Sequence, residues 1–247
     1  MLNVKNITVL AGEGERSKKI IDNLSLEVVA QGETVVILGP NGAGKSTLGA
    51  AMMGDPKLKI TEGEIRFFDE NITNMKVDER ARLGMMMTMQ NPVEVPGIST
   101  TNVIRAALNA RGENLSLDKI REQISVVCKK LKTNIFFAER EINYKFSGGE
   151  KKKNEIIQAL VLKPKLLILD EIDSGLDVDA ADLISGALKE LQENEKMALL
   201  IITHNMRILK KLKVDKVYIL KSGEIVKTGT GELLDLIEKN GYEGIKE

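Results

Sequence analysis

Thr34-Val-Val-Ile-Leu-Gly-Pro-Asn-Gly-Ala-Gly-Lys-Ser46 is the stretch that decides the fold of this chain. A continuous apolar run is followed by G-x-x-x-x-G-K-[ST]. This is the spacing of a phosphate-binding loop that lies between a strand and the start of a helix. Glycines let successive backbone N–H groups point at one anion, and the helix adds its positive N-terminal end. The alternative, a glycine turn that matches by chance, does not explain the strand before the motif or the helical pattern after it.

The loop residues divide the work of holding a nucleotide. Lys45 supplies a mobile cation for the β- and γ-phosphates, and Ser46 supplies a hydroxyl for Mg²⁺. The candidate phosphate-binding residues are Gly39, Pro40, Asn41, Gly42, Ala43, Gly44, Lys45, Ser46 and Thr47.

Two further apolar runs, Leu166–Leu169 and Ala198–Thr203, also predict parallel strands covered on both faces. Helical patterns between the runs predict an α/β fold in one domain, 1–247, with a mostly helical insertion at about 91–164. The predicted helices are Lys45–Met53, Asn102–Ala110, Leu117–Lys132, Glu150–Leu162, Val178–Glu193 and Met206–Leu212. Additional short strands are predicted at Leu2–Leu10, Leu24–Val29 and Gly63–Phe68.

Composition excludes several classes of protein. The 247 residues are 43% hydrophobic, which excludes a disordered chain, and 36 basic residues balance 36 acidic ones, which argues against bulk nucleic acid or an anionic membrane as partner. Cys128 is the only cysteine, so neither a disulfide framework nor a cysteine-built metal cluster forms within the chain. The longest apolar run, Met197–Ile202, is too short to span a bilayer, and the N-terminus is too polar for a signal peptide. We therefore expect a cytoplasmic protein without direct membrane insertion.

Polar residues follow the ends of the apolar runs, where parallel sheets bind ligands. Asp170 is placed to hold Mg²⁺, and Glu171, one residue further, to polarise an attacking water. Acidic turn residues are the alternative, and the phosphate loop upstream favours the functional interpretation. His204, the single histidine, follows the third buried strand and is interpreted as a γ-phosphate contact. Gln90 follows the strand-like Met85–Met89, and its interpretation as a Mg²⁺ or water contact depends on this surrounding set.

A second helix start has sequence features of an anion-binding site. Ser147, Gly148, Gly149 and Glu150 precede an apolar-faced helix, and Ser-x-x-Glu alone is explained as a capping box. Two adjacent glycines weaken a first helical turn, yet they expose backbone N–H groups to an incoming anion. One nucleotide does not easily need both helix starts from one chain, so we expect two copies to face each other. We interpret Lys151-Lys152-Lys153 as a solvated face.

These residues resemble, in order and spacing, the ATP-binding-cassette ATPases over nearly the whole chain. The motifs that carry the resemblance are Gly39–Thr47, Gln90, Ser147–Glu150, Leu166–Glu171, Ser174–Asp177 and His204. Within that superfamily the chain is most similar to the SufC family, soluble cassette ATPases of iron–sulfur cluster assembly. The narrower resemblance is carried by Asp78–Arg82, Gln90–Gly97, Phe146–Glu155, Leu169–Ala180 and Gly241-Tyr242.

The resemblance implies a P-loop NTPase of the ABC ATPase type, with a RecA-like core sheet, a small antiparallel β part and a helical subdomain. It implies ATP and Mg²⁺ as cofactors, an ATP-dependent homodimer contact and SufB/SufD-like scaffold proteins, or two SufB-like chains, as partners. The implied catalytic residues are Lys45, Glu171 and His204, and the implied metal ligands are Ser46, Gln90 and Asp170. The residues implied to bind the nucleotide of the opposite subunit are Ser147, Gly148, Gly149 and Glu150, and those implied to couple the two sites are Ser174, Gly175, Leu176 and Asp177.

One departure from the family concerns the base. Most family members place an aromatic residue near the end of the first strand to stack on adenine, whereas the first aromatic residue here is Phe67. An aliphatic residue, Val9 or Ile20, is therefore expected to cover the base.

Three functions remain open at this point. The chain is an energy-coupling ATPase for cluster assembly, the ATPase subunit of a membrane transporter, or a non-catalytic nucleotide-binding regulator. The presence of Lys45, Asp170, Glu171 and His204 argues against the third. The proline-bearing loop Asn91–Gly97 is the predicted docking segment, because it joins the γ-phosphate contact to the helical insertion.

Overall fold

Twelve β-strands and eight α-helices make up the part of the chain that the structure describes. The structure is a computed structural model that describes residues 1–12, 14–204 and 206–241, so Tyr242 of the family resemblance lies outside it. The strands are β1 (Leu2–Ala11), β2 (Lys18–Val28), β3 (Thr34–Leu38), β4 (Leu58–Phe67), β5 (Glu70–Asn71), β6 (Met85–Met87), β7 (Val95–Ser99), β8 (Glu141–Ile142), β9 (Leu166–Asp170), β10 (Ala198–Ile202), β11 (Lys216–Lys221) and β12 (Glu224–Gly229). The helices are α1 (Lys45–Met53), α2 (Val77–Leu83), α3 (Thr100–Ala110), α4 (Leu117–Lys130), α5 (Phe136–Glu139), α6 (Gly148–Leu162), α7 (Val178–Glu195) and α8 (Glu232–Asn240).

A six-stranded sheet forms the centre, in the order β12-β11-β3-β10-β9-β6. Its strands are parallel except β12, which pairs antiparallel with β11 at one edge. Every residue of β3, β9 and β10 is buried, as predicted for apolar runs covered on both faces. The carboxyl ends of these parallel strands share one edge of the sheet, where the phosphate loop, Gln90, Glu171 and His204 follow.

The two faces of this sheet carry separate cores. Val36 and Leu38 of β3 pack with residues of α3, α4, α6 and α7, whereas Val35 and Ile37 point to the other face, since side chains alternate along a strand. The second core joins α1 to a four-stranded antiparallel sheet in the order β2-β1-β4-β5. This is the expected fold: a parallel core sheet, a small antiparallel β part and a helical portion.

Four of the eight α-helices in the described part of the chain, α3 to α6, lie between β6 and β9. Met85 of β6 pairs in parallel with Leu166 of β9, so the intervening segment leaves the sheet and returns to a neighbouring position. The segment also contains the antiparallel pair β7 and β8, which the sequence analysis does not predict. No helix within the described ranges is both long and apolar enough to cross a membrane.

Some elements differ from their predictions. β2 and β4 begin several residues earlier than predicted, because exposed polar residues and register shifts interrupt their apolar alternation. The predicted helix over Met206–Leu212 is realised only as a 3₁₀ turn at Arg207–Leu209. The chain must return quickly to the sheet, because Asp215 N donates to Thr34 O at 2.9 Å and Asp215 Oδ2 accepts from Thr34 N at 3.0 Å. The predicted elements do not include α2, α5, α8, β5, β11 or β12.

Candidate nucleotide-binding site

The phosphate loop joins β3 to the first residue of α1. Gly44 has φ 103°, in the left-handed region that favours glycine, and it stands at the N-cap of α1. A Cβ on Gly39 would lie 2.1 Å from Leu220 O, so a side chain there would collide with the backbone of β11. Both glycines are therefore required by the path of the loop itself, and that path is a cradle that fits a phosphate group at a helix N-terminus.

Lys45 lies across this loop. Its Nζ donates to Gly39 O at 2.9 Å and to Pro40 O at 3.0 Å. Burial lowers the pKa of Lys45, while the charges of Glu171 and Asp170 oppose that shift. The ammonium group is thus within electrostatic reach of both carboxylates that the sequence predicts.

Ser46 and Asp170, two of the predicted metal ligands, are in contact. Ser46 Oγ donates to Asp170 Oδ1 at 3.1 Å, and Asp170 N donates to Thr88 Oγ1 at 3.1 Å. Burial raises the pKa of the Asp170 carboxyl, and the Ser46 hydrogen bond opposes that rise. A hydroxyl and a carboxylate oxygen are ligands that Mg²⁺ accepts, and this ion takes few protein ligands when it also binds phosphate oxygens. The donor set therefore fits Mg²⁺.

Glu171 contacts two other predicted site residues, the candidate metal ligand Gln90 and the candidate catalytic residue His204. Gln90 Nε2 donates to Glu171 Oε2 at 2.7 Å, and His204 Nδ1 lies 3.2 Å from Glu171 Oε1. The Gln90 side chain therefore contacts Glu171, whereas Ser46 contacts Asp170. Three residues from three strand ends, far apart in sequence, form one cluster.

The backbone of Glu171 is held in an uncommon conformation. Its φ is 48°, a value that residues other than glycine seldom adopt. Its N–H donates to Ile202 O at 2.8 Å, and its carbonyl accepts from Ser174 N at 3.1 Å and from Lys152 Nζ at 2.7 Å. Lys152 Nζ also donates to Ser174 O. Such strain persists only where neighbours fix it, and it is common at functional sites.

Lys152 corrects the interpretation of Lys151-Lys152-Lys153 as a solvated face. Lys152 is only 5% exposed, and burial lowers its pKa. The signal was present in the helical spacing, because Lys152 lies four residues before the buried Ile156 and therefore on the same side of α6. Asp173, which accepts from Thr203 Oγ1 at 3.1 Å, is a second buried polar residue that the sequence analysis missed.

The start of α6 contains both features that the sequence suggests. Ser147 Oγ accepts from Glu150 N at 3.3 Å and Glu150 Oε2 accepts from Ser147 N at 2.8 Å, which is the capping box. A Cβ on Gly148 would meet nothing within 4 Å, and one on Gly149 would meet only ordinary contacts, the nearest at 3.9 Å. Packing within the described chain therefore requires a glycine at neither position.

The segment Ser174–Asp177 connects the Glu171 turn to α7. Asp177 caps α7 by accepting from Ala180 N at 2.7 Å, and Gly175 has φ 76°. The carbonyl oxygens of Ser174 and Glu171 both accept hydrogen bonds from Lys152 Nζ. This predicted segment is thus bonded directly to the turn that carries Glu171.

The two residues proposed to cover the base differ in exposure. Val9 is completely buried, so it offers no surface to a nucleotide base and that expectation is wrong. Ile20 is partly exposed, and its Cγ2 lies 3.5 Å from the position that a Cβ on Gly44 would take. Ile20 therefore borders the phosphate loop and is partly exposed, whereas Ile21, whose Cδ1 lies 2.9 Å from the same position, is buried.

Comparisons with known proteins identify the family of this chain. The family described as ABC transporter matches residues 21–174. A probable ABC transporter ATP-binding protein of Streptococcus pyogenes serotype M3 is 43% identical over 250 residues, which cover 100% of this chain and 95% of that protein. The probable ATP-dependent transporter ycf16 of Trieres chinensis is 38% identical over 252 residues, which cover 100% of this chain and 98% of that protein. Among solved structures, a nucleotide-free ATP-binding cassette from an ABC transporter superposes with a TM-score of 0.75 at 26% identity, covering 100% of this chain and 99% of that chain.

The matched family spans the phosphate loop, the Ser-Gly-Gly helix start and the Glu171 turn, and the relatives cover the whole length of the fold. Cassettes of this family use ATP together with Mg²⁺. On the fold, the site and these matches together, the chain belongs to the ABC transporter family as an ATP-binding cassette.

Proposed function

We propose that this chain is a Mg²⁺-dependent ATPase that cradles the triphosphate of ATP in Gly39–Thr47 and hydrolyses the γ-phosphate with Glu171. The observation that carries the proposal is the cluster in which Glu171 contacts both Gln90 and His204. The cluster lies at the same sheet edge as the phosphate loop, which is where α/β sheets bind ligands. We treat 1–247 as a single cassette domain with a helical lobe at about 91–164.

The loop and its neighbours supply binding and charge. Backbone N–H groups of the loop and the start of α1 bind phosphate oxygens, and Lys45 adds a positive charge. Ser46, Asp170 and Gln90 would hold Mg²⁺, which when bound neutralises charge on the phosphates. Phosphoryl transfer depends mainly on positioning and charge stabilisation, so these contacts account for much of the catalysis.

Glu171 and His204 act on the attacking water. Glu171 is the general base: its carboxylate orients the water and accepts its proton as the water attacks the γ-phosphorus. The bond from the γ-phosphorus to the β–γ bridging oxygen breaks, and ADP and phosphate are released. His204, exposed on one side and in contact with Glu171 on the other, is positioned to contact the γ-phosphate. The fixed backbone of Glu171 holds its carboxylate in place at the carboxyl edge of the sheet.

A second copy of the chain completes the site. The glycines at the start of α6 have no packing reason within the described chain, and their N–H groups suit a phosphate brought by another molecule. ATP then joins two copies, with Ser147–Glu150 of each facing the nucleotide held by the other. Ser174–Asp177, bonded to the Glu171 turn, couples the two sites.

A complementation experiment tests the shared site. Lys45→Ala disables the phosphate loop, and Gly149→Asp places a negative charge at the helix start without a clash, because a Cβ has room there. Each variant alone is expected to be inactive in a phosphate-release assay. Mixed together, they form heterodimers with one intact composite site, so activity returns. Absence of recovery in the mixture, with both variants folded by circular dichroism, contradicts the shared site.

The partner is the finer part of the proposal. The motifs of the narrower family resemblance favour a cytoplasmic complex with SufB/SufD-like scaffold proteins of iron–sulfur cluster assembly. The loop after Gln90 exposes apolar side chains, with Val93 61%, Val95 40% and Ile98 44% exposed. Apolar residues exposed together in one segment are typical of a protein interface. Docking there would connect a scaffold to Gln90 and hence to Glu171.

A membrane transporter subunit is the second candidate. It is favoured by the names of the relatives, which are described as transporter components. Both candidates use the same chemistry and differ in the partner. Affinity purification of the native protein, followed by identification of what co-purifies and by cell fractionation, separates them: soluble scaffold proteins support the first, and integral membrane proteins in the membrane fraction support the second.

A further inference from the structure

Glu155 is a buried carboxyl group that the proposed reaction does not use. It lies on α6, is 8% exposed, and its Oε2 has no hydrogen-bond partner among the residues that the structure describes. Its Oε1 accepts a hydrogen bond from Met89 N at 2.9 Å. A buried carboxyl oxygen without a partner is costly, so its presence calls for a reason.

The donor in this bond is close to the candidate catalytic cluster. Met89 immediately precedes Gln90, whose side chain contacts Glu171. Met89 itself is 52% exposed, so little side-chain packing fixes the backbone at this point. The bond to Glu155 therefore holds the residue directly before Gln90, one residue beyond the last bond of this segment to β9, from Thr88 N to Ile168 O at 2.9 Å.

A second polar chain from α6 reaches the same loop farther along. Asn154 Nδ2 donates to Asn143 Oδ1 at 3.0 Å, and Asn143 Nδ2 donates to Val93 O at 2.9 Å. Thr100 Oγ1 donates to Asn154 Oδ1 at 2.9 Å, which fixes the Asn154 amide. The loop that contains Gln90 is thus held to α6 on both sides of Gln90.

The same helix also reaches the Glu171 turn. Lys152, three residues before Glu155, donates to Glu171 O at 2.7 Å. Residues at this spacing lie close together on a helix. One turn of α6 therefore fixes the backbones of Met89 and Glu171. Met89 directly precedes Gln90, so this turn holds the chain beside both partners of the Gln90–Glu171 hydrogen bond.

We propose that Glu155 is a positioning residue, whose hydrogen bond to Met89 N sets the place of Gln90 and thereby the affinity of the nucleotide site for Mg²⁺. This inference rests on the proposed function, because Gln90 is a metal ligand only if the chain binds Mg²⁺ with ATP. Glu155 acts through the backbone and does not touch the nucleotide. Loss of groups that orient a metal ligand commonly weakens metal binding roughly 10–100-fold.

The test compares two substitutions of similar size. Glu155→Gln keeps an oxygen that accepts from Met89 N, whereas Glu155→Leu removes the acceptor and suits the apolar surroundings. Binding of a slowly hydrolysed ATP analogue is titrated with Mg²⁺ by calorimetry, and amide hydrogen exchange is followed by mass spectrometry in peptides that contain Met89. Lys151→Met is the control, because it removes only the partly exposed contact of α6 with Glu94 on the same loop.

The expected result is a half-saturating Mg²⁺ concentration raised roughly tenfold in Glu155→Leu, with little change in Glu155→Gln and in the control. Amide exchange at Met89 becomes faster only in the leucine variant. Equal Mg²⁺ dependence and equal exchange in all four proteins overturn the inference, and so does an equal loss in both Glu155 variants. If the unsubstituted protein binds no nucleotide at any Mg²⁺ concentration, the proposed function fails instead.

Discussion

The Gln90 amide and the Glu171 carboxylate are joined by a hydrogen bond of 2.7 Å from Nε2 to Oε2. The two residues follow β6 and β9, which are adjacent parallel strands, so the bond crosses the carboxyl edge of the sheet. His204 lies 3.2 Å from the other carboxylate oxygen. Both carboxylate oxygens of Glu171 are therefore in contact with a polar side chain. The orientation of this carboxylate depends on the position of the loop after β6.

Replacing Glu171 by glutamine tests its role as the base. The amide keeps the shape and still accepts from Gln90, but it cannot take a proton from water. We expect ATP binding to persist, phosphate release to fall at least roughly 100-fold, and a dimer to accumulate with ATP and Mg²⁺. Phosphate-release assays and size-exclusion chromatography measure these effects, with Glu190→Gln on the exposed side of α7 as the control. A monomer under those conditions, or undiminished turnover, contradicts the assignment.

Replacing Lys45 by alanine tests the phosphate loop. The substitution removes the cation that lies between the loop carbonyls and the two carboxylates at the strand ends. We expect ATP affinity to fall by roughly tenfold or more, because the group interacts directly with phosphate charge. Calorimetric titration with Mg²⁺ and ATP measures the loss, and Lys57→Ala, at an exposed position, is the matched control. Unchanged affinity in the Lys45 variant would show that the triphosphate binds elsewhere.

The phosphate loop and the strand ends could be predicted from sequence because their signals are local. These signals are glycines at fixed spacing, an apolar strand and a polar residue after it. They can be recognised without knowing which strands are neighbours. The contact between Gln90 and Glu171 could be expected only in outline, because it depends on β6 lying beside β9. The sequence predicts both residues at one edge of the sheet, but not the hydrogen bond between them.

Buried polar residues that are not candidate site residues could not be predicted in the same way. Lys152, Glu155 and Arg80 are charged residues in polar stretches, and charged side chains are usually exposed. Each is buried because carbonyl or N–H groups from distant segments meet it, and those segments are brought close only by the complete fold. Helical spacing places Lys152 on the apolar side of α6, but it does not identify the carbonyls that it binds.

Glu155 couples the stability of the fold to pH. Burial raises the pKa of its carboxyl from 4.5 to about 7. As the pH rises between these values, the unfolded chain releases the proton while the folded chain retains it. Ionisation therefore favours unfolding over this range, and the penalty persists at higher pH.

The variant Glu155→Gln removes this titration. We compare the free energy of unfolding of this variant with that of the unsubstituted protein. The difference should shift in favour of the variant by on the order of 2–3 kcal/mol between about pH 4 and pH 8. Urea unfolding at the two pH values, followed by circular dichroism, measures the difference. A gain that is the same at both pH values would mean that the Glu155 carboxyl titrates alike in the folded and unfolded chain.

Arg80 stabilises the helix that begins with the phosphate loop. It is 1% exposed, and its Nη1 donates to Ala51 O at 2.9 Å and to Met52 O at 2.8 Å, at the C-terminal end of α1. Its other donors reach Met75 O at 3.0 Å and Thr73 O at 2.9 Å. A cation at the C-terminal end of a helix also interacts favourably with the helix dipole. Burial lowers the pKa of Arg80 to about 10, so the guanidinium stays charged at neutral pH.

Replacing Arg80 by methionine leaves these carbonyls buried without their donor. Each such loss costs about 1–3 kcal/mol, so we expect the free energy of unfolding to fall by about 3 kcal/mol or more. Arg82→Met on the same helix is the control, because Arg82 forms an exposed pair with Asp78 whose loss should cost about 0.5 kcal/mol or less. Urea unfolding of both variants separates the two cases. If the two variants lose equal stability, the carbonyls at the end of α1 find other donors and Arg80 does not hold the phosphate-loop helix in place.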